Sequence, residues 1–304
     1  MGGGGWRSPE KPDLLESAAH FIAATLENKF MWQRLAVVCP VLACWGCALA
    51  PNPDLLPDRY RLLREQLVIH SDFKLARHHR LLDELVARRT EIADQLQLPI
   101  SDEQIYVYLF ATPGNYRDYL TGRFPFYPDR RAFFVESDTR LTVFAHWGER
   151  VAEDLRHEVA HGYLHAAVPN LPLWLDEGLA EYYEVARGHG GFHGPHLEWL
   201  DLQRRQRQWK PDLTRLESLE MVGQMSLSDY AEAWAWTHWL LETTPERLDL
   251  TRNYLARLRM TGTAPPFSSV LRSGEPAAAT ALQFHLRSLA DDRVPPQQTS
   301  PANR

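Results

Sequence analysis

Two histidines and a glutamate near the middle of the chain have the residue types and the spacing for metal chemistry. His157 and His161 lie four residues apart in His157-Glu-Val-Ala-His161. On a helix this spacing places both imidazoles on one face, where they can reach a single ion. Glu158 lies beside the first histidine but outside this pair of ligands. Its carboxylate is therefore available to take a proton from a water molecule at the ion.

A third ligand is expected from the next predicted helix. A catalytic zinc site uses three protein ligands and keeps one position open for water, whereas a structural site is more often closed by four Cys or His ligands. The segment Trp174-Leu-Asp-Glu-Gly-Leu-Ala-Glu-Tyr182 is predicted to be helical and follows a Pro-Asn-Leu-Pro loop. Glu177 is therefore the candidate third ligand, and Zn2+ is the expected cofactor.

The elements that must position these residues predict an α+β fold. A small mixed sheet comes first and a mainly helical subdomain follows, with the helix of His157 and His161 between them. A helical stretch after Pro51 to Pro57 is predicted to lead into the first strand. The predicted strands are Gln66 to Asp72, Ile105 to Ala111, Arg131 to Ser137 and Leu141 to Trp147. The predicted helices are Leu75 to Leu98, Tyr116 to Leu120, Glu149 to Ala167, Pro172 to Arg187, His196 to Arg207, Ser228 to Glu242, Pro245 to Met260 and Pro276 to Leu289.

The chain is predicted to have three regions. Residues 1–50 form an N-terminal extension that includes a signal or lipoprotein segment at 31–50, residues 51–290 form the folded domain, and residues 291–304 form a disordered tail rich in polar residues and proline.

The charge of the chain argues against nucleic acid as a partner. The formal net charge is -6 and the pI is about 6.1, so no basic surface for nucleic acid is expected.

The segment that begins at Met31 has the layout of a secretory signal, with a positive start, an apolar centre and small residues at its end. Met31 is the natural start under this interpretation. Two short stretches that end at Cys44 and Cys47 resemble the bacterial lipobox, so a lipidated cysteine could tether the protein to a membrane outside the cytoplasm. Simple cleavage after Ala50 and an uncleaved form remain open.

All three cysteines lie within the apolar stretch between Leu35 and Ala50, so the domain has no disulfide framework. Cys44 and Cys47 form a C-x-x-C, but the strand-turn-helix context of a redox pair is missing.

The two central segments resemble the gluzincin metallopeptidases, in particular bacterial peptidase-like domains of that clan. His157-Glu-Val-Ala-His161 carries one part of the resemblance. Trp174-Leu-Asp-Glu-Gly-Leu-Ala-Glu-Tyr182 is similar to the W-L-N-E-G-x-A-x-Y segment of aminopeptidase N relatives. The resemblance extends over roughly Ile105 to Leu241. It implies a zincin-like fold and one zinc ion, with the glutamate before the glycine, here Glu177, as the third ligand.

Some features depart from that family or exclude a neighbouring one. Fifteen residues separate His161 from Glu177, which is a shorter connection than in aminopeptidase N or thermolysin, and no G-x-M-E-N segment is present. Aminopeptidase specificity therefore does not follow. A metzincin would need glycine and histidine where this chain has Leu164 and Ala167. His165 lies one turn further on, as a possible ligand or a surface or supporting histidine.

Further residues are candidates for supporting roles. The resemblance implies a tyrosine on a later helix as the donor to the oxyanion, and Tyr230 occupies a similar place, although a core tyrosine is the alternative. His238, two turns later, is a candidate for oxyanion or substrate contact, or a core histidine. Glu181 and Asp154 are candidates to orient a ligand histidine, or lie on solvated helix faces.

The function that these observations favour is zinc-dependent hydrolysis of peptide bonds, with a peptide or protein as the substrate. The alternative is a catalytically inactive binding or assembly protein at the cell envelope that keeps the fold. Hydrolysis of another amide or of a cell-wall bond would use the same chemistry. Arginine and aromatic residues from Phe124 to Phe134 are expected near the cleft.

Overall fold

The computed structural model describes residues 56–124 and 130–291, which form an α+β structure with one mixed sheet. The strands occur in the order β1-β2-β3-β5-β4. β2, β3 and β5 are parallel to one another, whereas β1 and β4 pair antiparallel to β2 and β5 at the two edges. Their bounds are β1 Tyr60–Arg64, β2 Leu67–Ser71, β3 Ile105–Phe110, β4 Ala132–Ser137 and β5 Arg140–His146.

Ten α-helices accompany the sheet in this described part of the chain, and most of them follow it in sequence. None of the described helices is both long and apolar enough to cross a membrane. Their bounds are α1 Arg80–Leu96, α2 Pro113–Arg123, α3 Val151–His165, α4 Leu173–Glu184, α5 Gly194–Arg205, α6 Leu213–Glu217, α7 Leu227–Glu242, α8 Pro245–Thr261, α9 Phe267–Gly274 and α10 Ala278–Asp291.

The alternation of side chains along the central strands decides which helices cover which face of the sheet. Ile105 and Val107 of β3 point into the main core, which they share with Leu155 and Val159 of α3. The opposite face carries an aromatic cluster that joins Phe110 and residues of α2. α3 is thereby held against the sheet by its apolar face, and its other face is turned towards α4.

One predicted element is wrong. The stretch before the first predicted strand, expected to be helical, contains the edge strand β1, which forms a hairpin with β2 through Glu65 and Gln66. Glu65 has a φ of 49°, and the loop lacks the Asn-Gly or Asp-Gly pair that usually signals a two-residue turn. Pairing with β2 therefore determines this strand.

The other predicted strands and helices are present with shifts of a few residues at their ends. Two short helices, α6 and α9, were not predicted from the sequence. Asp212 caps α6 by accepting a hydrogen bond from the backbone N–H of Arg215. A capping residue alone did not predict this helix, because five residues are too few to show a helical period. The predicted signal segment at 31–50 and the tail beyond Asp291 lie outside the described residues, and these remain predictions.

Gly178 allows α4 and α7 to pack closely. A Cβ at this position would lie 2.6 Å from the carbonyl oxygen of Ala233 and would also meet the hydroxyl of Thr237. Because a backbone atom cannot move aside cheaply, Gly178→Ala is expected to lower the free energy of unfolding by about 1–3 kcal/mol. Denaturant unfolding measures this loss.

Gly122→Ala on α2 is the matched control, because nothing lies within 4 Å of its added Cβ. This variant is expected to be neutral or to stabilise the protein by up to ~1 kcal/mol. Equal stabilities of the two variants would contradict the close contact between α4 and α7.

Candidate metal centre

Two antiparallel helices position the predicted ligands. His157 and His161 lie one turn apart on α3, and Glu177 lies on the facing side of α4. The Nε2 atoms of the two histidines are 3.3 Å apart, and Glu177 Oε2 lies 3.6 Å from His157 Nε2 and 3.7 Å from His161 Nε2. The three ligand atoms thus form a nearly equilateral triangle.

This triangle fits a tetrahedral metal ion. Zinc–nitrogen and zinc–oxygen bonds of about 2.0–2.2 Å at tetrahedral angles place ligand atoms about 3.3–3.6 Å apart. Glu177 Oε2 is fully buried and has no hydrogen-bond partner in the described structure. A buried carboxylate oxygen without a partner is costly, and a cation within the triangle would remove that cost. The donor set of two imidazoles and one carboxylate is one that zinc accepts.

The far sides of both histidine rings are held by carboxylates. His157 Nδ1 lies 3.1 Å from Glu184 Oε2, and His161 Nδ1 lies 2.9 Å from Asp176 Oδ1. An ionised carboxylate only accepts hydrogen bonds, so each Nδ1 carries the proton. When such a ring is neutral, its Nε2 presents a lone pair, and the two Nε2 atoms face the same point, as those of metal-binding histidines do.

The acidic surroundings attract positive charge to this point. Burial lowers the pKa of His157, but Glu177 and Glu184 outweigh it and raise the pKa well above its usual value. Burial likewise opposes the charged form of His161, and Asp176 and Glu177 raise its pKa nevertheless. Either a proton or a metal cation would compensate the negative charge around the rings, and one divalent cation would do so for both rings at once.

Glu158 lies beside the triangle but is not part of it. Its side chain is 8% exposed, and no other described residue hydrogen-bonds its carboxylate. Burial raises the pKa of Glu158, while His157, His161 and Arg130 lower it without cancelling the effect. A carboxylate of raised pKa close to a metal site is suited to accept and return a proton.

Tyr230 of α7 reaches the same region. Its hydroxyl oxygen accepts a hydrogen bond of 2.9 Å from Arg130 Nη2, which leaves its own O–H free to donate. Burial raises the pKa of Tyr230 to about 12, and Glu177 adds to the rise while Arg130 opposes it. The phenol therefore stays protonated near neutral pH, as a hydrogen-bond donor must.

The other predicted candidates have different neighbours. Glu181 accepts from His196 Nε2 at 2.9 Å and has no hydrogen bond to His157 or His161. Asp154 pairs with Arg131 at 2.7 Å. The described structure therefore gives neither carboxylate the predicted contact with a ligand histidine.

His165 lies one hydrogen bond behind the triangle. Its Nε2 lies 2.9 Å from Asp176 Oδ2, and its Nδ1 lies 2.6 Å from Glu136 Oε2. Burial lowers the pKa of His165, but these two carboxylates raise it to about 9. As a cation, His165 supports Asp176, which in turn holds His161.

Two residues that contribute to the site, Asp176 and Glu184, were not predicted from the sequence, although a signal existed for both. Asp176 directly precedes Glu177, and Glu184 lies seven residues later, two turns along the same helix. Arg130 lies in the stretch from Phe124 to Phe134 that was expected near the cleft, although its hydrogen bond to Tyr230 was not predicted. Phe134 of β4 stacks on His161 with 5.8 Å between ring centroids, so the expected aromatic border is partly present, while residues 125–129 lie outside the described structure.

The comparison with known proteins leaves this geometry as the basis for any functional assignment. No protein-family model matches the sequence, and no curated protein is significantly similar to it. The resemblance to gluzincins therefore rests on the two segments quoted in the sequence analysis and remains a prediction.

His238 lies away from the triangle, in a buried pair with His285 of α10 at 2.9 Å between Nδ1 and Nε2. Burial lowers the pKa of His238 to about 3, with His285 adding to the effect, and burial together with Arg247 lowers that of His285 to about 4. Both rings are thus neutral in the folded protein at neutral pH. The pair joins α7 to α10.

This pair predicts an acid-sensitive contribution to stability. Unfolded histidines take up protons below about pH 6.5, whereas the folded pair takes up protons only below about pH 4. The free energy of unfolding is therefore expected to fall as pH is lowered through this window. The His238→Asn/His285→Gln double variant, which keeps amide groups near the two nitrogens, should show a shallower fall in denaturant titrations. The exposed His78→Gln variant should retain the wild-type slope, and a wild-type slope in the double variant would contradict the prediction.

Proposed function

We propose that this protein is a zinc-dependent peptidase of the gluzincin type, with His157, His161 and Glu177 as the metal ligands. The observation that carries the proposal is the triangle of Nε2, Nε2 and Oε2 atoms at 3.3–3.7 Å, in which the buried Glu177 oxygen has no hydrogen-bond partner among the described residues. Two ligands come from one helix and the third from the next. A structural site would have no need of the adjacent carboxylate of Glu158.

The chain's own residues supply the remaining chemistry. A zinc ion, when bound, polarises the substrate carbonyl and makes a water molecule more acidic. Glu158 accepts the proton of that attacking water and later returns it to the leaving amine. Tyr230 donates its O–H to the developing oxyanion, and Arg130 holds the phenol in place from behind. Asp176 and Glu184 fix the tautomers of the two ligand histidines.

The position of β4 favours a peptide as the substrate. β4 is an edge strand that pairs only with β5 in the described sheet, and its Phe134 contacts the ring of His161. An extended peptide can pair with the free side of such a strand and present a backbone carbonyl to the neighbouring site. Substrates without an extended backbone lack this means of alignment.

The proposal is tested by metal analysis and peptide cleavage on the same preparation. We expect about one zinc ion in the triangle, cleavage of members of a mixed peptide library, loss of cleavage with a chelator and recovery with Zn2+. Zinc without any cleavage would favour the binding or assembly protein. Absence of bound zinc after incubation with the ion would contradict the proposal.

A Tyr230→Phe variant tests the oxyanion donor. Removal of one such donor is expected to lower kcat by about 10²–10³-fold with little change in KM, because the contact forms only in the transition state. Zinc content should not change. The matched control is Tyr106→Phe on β3, whose hydroxyl bonds Gln104 away from the site; a similar loss in both variants would argue against a specific role for Tyr230.

A further inference from the structure

A second group of side chains with metal-ligand chemistry lies beside the first. We propose that Glu181, Glu184, His193 and His196 form a site for a second divalent transition metal ion, such as Zn2+. Glu181 Oε2 lies 2.9 Å from His196 Nε2 and 3.8 Å from His193 Nε2, and Glu184 Oε1 lies 3.2 Å from His193 Nε2. One potential ligand atom from each of Glu181, His193 and His196 falls within 4.8 Å of the others.

The four residues come in two pairs from neighbouring helices. Glu181 and Glu184 are three residues apart on the last turn of α4, and His193 and His196 are three residues apart across the start of α5. Residues at this spacing share a helix face. The two pairs face each other, with each side chain between 11% and 16% exposed, so the group is largely shielded from water but still reachable by an ion.

Charge and ligand type favour a divalent cation here. Two carboxylates and two neutral imidazoles carry a charge of minus two, which one divalent ion balances. A mixed nitrogen and oxygen donor set suits zinc and neighbouring first-row ions rather than Ca2+ or Mg2+. The two imidazole rings stack at 3.8 Å between centroids, with both Nε2 atoms on the side of Glu181 Oε2.

Binding requires both histidines to present a lone pair on Nε2. His193 Nδ1 accepts the backbone N–H of His196 at 3.2 Å, so a neutral His193 carries its proton on Nε2 and donates it to Glu184. When the ion binds Nε2, that proton moves to Nδ1, so that the ring stays neutral and the weak N–H···N cap is lost. His196 makes the same change, because its Nε2–H donates to Glu181 before the ion binds.

Glu184 connects the two sites. Its Oε2 receives Nδ1–H of the ligand His157, and its Oε1 faces the proposed second ion. An ion bound there would fix the position of Glu184 and hence the orientation of the His157 ring. The site itself does not depend on the proposed peptidase chemistry, although its effect on His157 does.

The test is the zinc stoichiometry of the full-length protein, stripped with a chelator and dialysed against micromolar Zn2+. We expect about two ions per chain in the wild type and about one in His196→Ala, Glu181→Gln and Glu177→Ala. The double variant Glu177→Ala/His196→Ala should bind none. His78→Ala, which changes an exposed histidine, is the control and should keep both ions. Circular dichroism establishes that each variant is folded, and Glu181→Gln preserves the packing if His196→Ala does not fold.

The variants separate this inference from the proposed function. Loss of zinc in Glu177→Ala without any loss in His196→Ala and Glu181→Gln would overturn the second site and leave the first intact. Loss of zinc in His196→Ala and Glu181→Gln without any loss in Glu177→Ala would support the second site and contradict the catalytic one. Binding that appears only at millimolar zinc and is the same in all variants would overturn both.

Discussion

The Glu158→Gln variant is expected to keep its zinc and to lose about 10²–10⁴-fold in kcat, the usual contribution of a general base. Glutamine has the same shape but cannot accept a proton from water. The side chain makes no hydrogen bond to another described residue, so the substitution should not disturb the packing around it. Metal content and steady-state kinetics on one cleaved peptide measure the two effects.

Glu153→Gln is the matched control for this variant. Glu153 lies on the same helix, but pairs with Arg150 and Arg131 away from the metal ligands. It should retain both zinc and activity. Unchanged kcat in Glu158→Gln would contradict the assignment of the base.

The Glu177→Ala variant is expected to bind zinc at the catalytic site at least ~100-fold more weakly and to fall to background activity. The reason is that it removes one of three protein ligands, and even the loss of a partner behind a ligand costs about 10–100-fold. Competition with a calibrated zinc chelator measures the affinity. Asp176→Asn, which keeps all three ligands but weakens the support of His161, should fall in the 10–100-fold range.

A larger loss of zinc affinity in Glu177→Ala than in Asp176→Asn is the result that would identify Glu177 as a ligand. Glu220→Gln, an exposed substitution in the helical part, should bind zinc as the wild type does. If Glu177→Ala binds zinc normally at the catalytic site while Asp176→Asn does not, the ligand set would have to be revised towards Asp176 with His161 and His165, a group whose atoms also converge.

Much of the fold could be predicted because most elements have a strong local period. β3 alternates between two buried faces, and α1, α3 and α7 are long enough for a helical pattern to be recognised. The elements that were wrong or missing are short: β1 and α6 have five residues each. Their conformation depends on pairing or capping by residues elsewhere, which a local pattern does not contain.

The sequence by itself determined that His157, His161 and Glu158 lie within about one turn of one helix and that Glu177 lies on the next helix. Helical geometry fixes these relations within a single turn. The tertiary structure decided what lies behind and around them. The antiparallel packing of α3 and α4 brings Asp176 and Glu184 to the two ligand rings, and the start of α5 brings two histidines to Glu181. Spacing along one helix shows which side chains share a face, but these contacts also depend on the rotation and register of one helix against another, which that spacing does not determine.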